Sequence, residues 1–101
     1  PYTVTGAENF MNREKSEIIA LQALTFIAGQ EKTLSWMLAE TGIDPGTLAQ
    51  SAQNSEILAG VLDFLLMHED ILIDFCANEK LDPTSMIRAR QFLPGAPVED
   101  Y

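Results

Sequence analysis

A shift of 38 positions lays residues 18–53 of this chain onto residues 56–91. Ile19 then falls on Ile57, Leu24 on Leu62, Phe26 on Phe64, Glu31 on Glu69 and Leu34 on Leu72. Ala39 meets Ala77, Asp44-Pro45 meets Asp82-Pro83, and Gln53 meets Gln91. Conservative pairs fill the gaps, among them Ile43 with Leu81, Thr47 with Ser85 and Leu48 with Met86. A fixed period of this size marks a supersecondary unit that packs its apolar face on a neighbouring copy. With 101 residues in all, the chain has room for one modest core and not for a deep catalytic cleft besides.

Within each copy the apolar spacing is helical, and no strand alternation competes with it. Ser16 is placed to cap a first helix whose apolar residues (Ile18, Ile19, Leu21, Leu24, Phe26, Ile27) are too dense for a one-sided stripe. Gly29 stops it. A second helix carries Leu34, Met37 and Leu38 and ends at Thr41-Gly42, with Gly42 suited to the left-handed position after a helix. Asp44-Pro45 starts a third, since Asp accepts from exposed backbone N–H groups and Pro needs none at the first position. The second copy repeats this plan. Asn54 or Ser55 caps a helix to Met67, Glu69 or Asp70 opens another through Ala77, and Asp82-Pro83 caps the last before Pro94-Gly95. Val61, Leu62, Phe64, Leu65, Leu66 and Met67 make the fourth helix the hub of the core. The expected fold is all-α, a compact bundle of about six short helices in two tandem three-helix repeats. Residues 16–95 form that domain, between a flexible N-terminal segment (1–15) and a flexible tail (96–101). The chain starts with Pro1, so Met11 is read as a candidate native start.

Charge narrows function next. Fifteen acids against six Lys and Arg give a net charge of -9. Between Glu31 and Glu79 the only basic residue is Lys32. Such a surface repels a phosphate backbone and anionic lipid alike, so neither nucleic acid nor a membrane is an expected partner. The stretch from Ile57 to Met67 is broken by Asp63 and too short to span a bilayer. No secretion signal is read, and the single cysteine, Cys76, fits a reducing compartment, so a cytoplasmic protein is expected. The other basic residues gather towards the two ends of the chain: Arg13 and Lys15, then Arg88 and Arg90.

Chemistry-bearing constellations are thin. His68 is the only histidine, which excludes a His-based metal cluster within one chain. The knot of His68, Glu69, Asp70 and Asp74 offers too few oxygens for a hard cation, and acids at a helix start have a simpler use against the dipole. Cys76 continues the apolar pattern of Leu72, Ile73 and Phe75, as a buried free cysteine does, rather than pairing with His68 as a nucleophile. No phosphate loop or nucleophile elbow is present. We read no catalytic, cofactor-binding or metal residues and expect no enzyme. Met37, Met67 and Met86 suit core gaps better than a soft binding groove. Trp36 points away from the face of Leu34, Met37 and Leu38, where it either closes the core edge or anchors a partner.

The segment LAETGIDPGTLAQ has the outline of a helix-turn-helix, and it carries the rival reading of a DNA-binding regulator that uses Arg88, Arg90 and the basic N-terminal end. Its recognition helix, Pro45 to Gln53, contains no Lys or Arg, and Lys80 stands in the second copy where Gly42 stands in the first. A capped helix junction used twice is the better account. The run ILAGVLDFLLMHEDILIDFCA, the paired GIDPGTL and KLDPTSM segments and the closing FLPG resemble a small alphaproteobacterial family known as domain of unknown function 3572. The resemblance covers roughly Ile18 to Gly95. It implies a bacterial, intracellular helical protein, and carries no substrate, cofactor, partner or functional residue. The functional expectation is a non-enzymatic protein-interaction module, with Trp36, Arg88 and Arg90 as partner-binding residues. Its partner is expected to present a basic surface, and the generous apolar content leaves room for a homodimer.

Overall fold

The computed structural model describes residues 10–96, so of the flexible ends expected over 1–15 and 96–101, residues 1–9 and 97–101 lie outside the described residues. Five α-helices and one 3₁₀ segment follow in order: α1 (Arg13–Ala28), α2 (Glu31–Thr41), the 3₁₀ segment (Pro45–Gln53), α3 (Ser55–Met67), α4 (Glu69–Glu79) and α5 (Pro83–Gln91). No strand occurs among the described residues.

Six α-helices were expected, and the third is the exception. Pro45–Gln53 opens as an Asx turn, with Gly46 N donating to Asp44 Oδ1 at 3.0 Å and Thr47 N donating to Asp44 O at 2.9 Å. Gly46, Thr47 and Ser51 are weak helix formers, and the tight i→i+3 winding is what this sequence keeps. The corresponding Pro83–Gln91 begins with the same kind of bond, Ser85 N to Asp82 O at 2.8 Å. It goes on as α-helix because Met86 and Ala89 are anchored in the core.

Caps account for the other boundaries. α1 starts one turn earlier than expected, because Asn12 Oδ1 accepts from Lys15 N at 2.8 Å. Ser16, read from sequence as the cap, is instead buried in the first turn, where its hydroxyl donates to Asn12 O. Asn54 caps α3 and Asp82 caps α5, each accepting from a backbone N–H of its first turn. α2 ends at Gly42 (φ 77°) and α4 at Lys80 (φ 59°), both left-handed.

α3 lies at the centre and packs against α1, α2, the 3₁₀ segment, α4 and α5. Leu58, Val61, Leu62, Phe64 and Leu65 are buried on it. Around them close Ala20, Ala23 and Ile27 of α1, Met37 of α2, Phe75 of α4 and Met86 of α5. The hub predicted from the apolar run is the hub observed over Val61 to Leu65, whereas Leu66 is half-buried and Met67, expected in the core, is exposed at the end of α3. No helix among the described residues is long and apolar enough to cross a membrane.

Candidate functional site

The fold brings residues 10–19 and 80–88 to one place. The first turns of α1 lie beside the α4–α5 junction, and between them opens a groove of about 760 Å³. Ile19 is buried beneath it, with Met11 and Leu81 half-buried at its sides and Ile18 half-exposed within it. Lys15, Lys80 and Arg88 also line it, three of the six basic residues of a chain with net charge -9. Each arrives by a different local device. Lys15 belongs to the capped first turn of α1, Lys80 is the residue after α4, and Arg88 stands on the exposed side of α5.

Among the described residues Asp82 is the one acid lining this groove. Its carboxyl is held below the usual range, first by the hydrogen bonds from Thr84 and then by the charge of Arg88. It therefore stays ionised as the cap of α5 and offsets only part of the groove's positive charge. Ser85 Oγ donates to Asp82 O at 2.6 Å and tightens the same turn.

Arg88 and Arg90, neighbours in the sequence, have opposite fates. Arg90 is 6% exposed, and its Nε donates to Asp63 Oδ1 at 2.6 Å and its Nη2 to Asp63 Oδ2 at 3.2 Å. Its Nη1 donates to Leu93 O at 3.1 Å, so this guanidinium ties α5 to α3 and to the chain after α5. Helical geometry turns Arg88 about 200° from it, outward into the groove. Arg13 is drawn away as well, to Glu17 and the Ser55 hydroxyl.

Trp36 does not line this groove. Its ring stands edge-on to Phe64 at 5.5 Å and lies 4.2 Å from His68, with 45% of the residue still exposed. It thus closes the core edge with one face and leaves another to solvent. His68 Nε2 lies 2.9 Å from both oxygens of Glu40, joining α2 to the α3–α4 junction. A shallow hollow of about 240 Å³ adjoins this cluster, lined by Glu40, Asp63 and the exposed Met67 among others.

The remaining candidates separate. Cys76 is buried in the core, where desolvation first and the charge of Asp82 second push its thiol up. His68 faces Glu40 and two aromatic rings. Among the described residues no group of three or more His, Cys, Asp or Glu side chains is placed to hold a metal ion. The helix-turn-helix reading needs an α-helix over Pro45–Gln53, and that segment is 3₁₀. Sequence reasoning missed Lys15, Ile18 and Lys80 as members of one site. The available signal was Lys80 occupying the position that glycine holds in the first copy.

A family model described as "Protein of unknown function (DUF3572)" matches residues 13–96. No curated protein and no solved structure matches the chain.

Proposed function

We propose that this chain, which belongs to the DUF3572 family of proteins of unknown function, is a non-enzymatic protein-interaction module that engages its partner in the groove between α1 and the α4–α5 junction. The observation that carries the reading is the convergence of Lys15, Lys80 and Arg88 on a groove with apolar walls, in a chain otherwise dominated by acids. A concave site with exposed apolar anchors and a few oriented charges is the form a peptide or protein segment recognises. Catalysis has less support. A thiol pushed up by burial is a poor nucleophile, and the only imidazole is engaged by Glu40. The two-repeat arrangement belongs to the same proposal, with α2 and α4, and then the 3₁₀ segment and α5, as corresponding elements at a spacing of 38 residues.

The basic partner surface expected from net charge attaches to the hollow beside Trp36. Glu40 and Asp63 are already committed there to His68 and Arg90. The groove therefore takes precedence. The test is affinity capture from the source organism's lysate with and without nuclease, run with the wild-type chain and an Ile18→Glu variant. A protein partner that survives nuclease and is lost with Ile18→Glu supports the module. Partners that vanish with nuclease would favour the DNA-binding reading instead, and partners equally retained by the variant would remove the groove from the proposal.

A further inference from the structure

We infer that the groove's occupant is an acidic peptide segment of a partner protein, with carboxylates leading and large apolar side chains following. This rests on the interaction-module reading and adds the chemistry of the ligand.

Local charge is the first support. Among the described lining residues, Lys80 and Arg88 join Lys15 against one anion, and that anion is turned to the Thr84 N–H as a helix cap. Charges farther off than about 8–10 Å are largely screened at physiological salt, so the groove's own lining outweighs the net charge of the molecule at contact. A carboxylate at the mouth meets ammonium and guanidinium donors, with the guanidinium able to bind it bidentately.

Backbone conformation is the second. Lys80 holds φ 59° and ψ 44°, a left-handed conformation that costs an L-residue free energy and that glycine adopts freely. The corresponding residue after α2 is Gly42, at φ 77°. A lysine held where glycine would be easier, with its side chain lining a groove, points from strain to function.

Shape supplies the polarity of the ligand. Ile18 lines both this groove and a second hollow of about 360 Å³ that continues along the seam of α1 and α4 past Leu21 and Phe26. Phe26 meets Phe75 edge-to-face at 5.6 Å beneath that seam. Glu79 lines the far hollow, where a second carboxylate would be repelled. The surface thus runs from cationic at Lys15, Lys80 and Arg88 to apolar at Ile18, Leu21 and Phe26. A nucleic acid would bring phosphates against the acids outside the groove, and a flat anionic bilayer cannot enter a concavity between helices. A peptide brings its few carboxylates only where the cations are.

The experiment titrates two fluorescein-labelled peptides by anisotropy, Glu-Asp-Glu-Leu-Phe-Leu and its neutral counterpart Gln-Asn-Gln-Leu-Phe-Leu, and maps the bound site by amide chemical shifts. The acidic probe is expected to perturb Lys15, Ile18, Lys80 and Arg88, to weaken as salt rises, and to lose about threefold in affinity with Arg88→Gln. Lys80→Gly gives the sharper readout, because it should raise the melting temperature by about 4 °C while weakening the acidic probe about threefold and leaving the neutral probe unchanged. Equal binding of both peptides in the groove would overturn the acidic ligand while leaving the module reading intact. Absence of groove shifts with either peptide would overturn both. Vesicles of phosphatidylglycerol that produce the same shifts would replace the peptide by a lipid, and a dimer in sedimentation that the probe cannot displace would replace it by a second copy of this chain. Either outcome overturns the inference.

Discussion

Arg90 shows how one side chain can be spent entirely on the fold. Its guanidinium is buried, bidentate to Asp63 and donating to the Leu93 carbonyl. Removing it strips a buried carbonyl of its donor and opens space around the stem, whereas Asp63 has half its side chain in water and can be resolvated. Arg90→Met should therefore cost about 2 kcal/mol in urea unfolding, and Asp63→Asn, which keeps one acceptor but leaves the buried guanidinium without its counter-charge, a similar amount of about 2 kcal/mol. A much smaller loss for Asp63→Asn would mean that the Leu93 contact and the packed stem, and not the ion pair, carry the stabilisation. Gly95 belongs to the same locality: at φ 81° it sits where an added Cβ would meet Arg90 Nη2 at 3.3 Å. In the sequence Arg88 and Arg90 are the same residue type two apart, and only position on α5 separates a groove cation from a structural tie.

At the scale of elements, two glycines predict opposite responses. Gly42 is left-handed with nothing within 4 Å of an added Cβ, so Gly42→Ala should cost about 1 kcal/mol from backbone conformation alone. Gly46 has no such constraint, and a Cβ there would make only ordinary contacts with the Asp44 side chain. Gly46→Ala should stabilise the chain by about 0.5 kcal/mol and deepen the helical circular-dichroism signal as the 3₁₀ segment winds towards α-helix. An unchanged signal would show that tertiary contacts, and not glycine, hold the tighter winding. Most elements were readable because their signals are local. Asn54 and Asp82 announce helix starts, Gly42 announces a stop, and the dense run from Leu58 to Leu65 announces a buried hub. The misreadings have the same origin. Asn12 and Ser16 are both competent caps, and choosing between them depends on where the first turn packs.

For the whole molecule, charge and burial set the conditions of stability. Self-repulsion at net charge -9 should make the protein melt higher as sodium chloride is raised from low to about 0.5 M at neutral pH, and a falling melting temperature would contradict this. Two titrations contribute to the pH dependence of stability. Asp82 is depressed by folding, so its stabilisation is present above the ordinary value of 3.8 and is lost as pH falls through the lower folded value. Cys76 is raised by folding, so its contribution is complete below the ordinary 9.0 and is lost as pH rises through the higher folded value. Thermal melts of Cys76→Ala across alkaline pH should lack that decline, while the acid limb persists; an identical alkaline limb would assign it to other groups. Most helix boundaries and the central place of α3 were determined by the sequence alone, because propensity, capping and apolar periodicity act within a few residues along the chain; the cap of α1 and the winding of Pro45–Gln53 were not. The candidate site was decided by the tertiary structure. Lys15 stands more than sixty residues from Lys80 and Arg88, and only the packing of α1 and α5 on α3 brings those charges to one groove. The same packing decides which basic residues face solvent, because burial and ion pairing are set by neighbours that are distant in sequence.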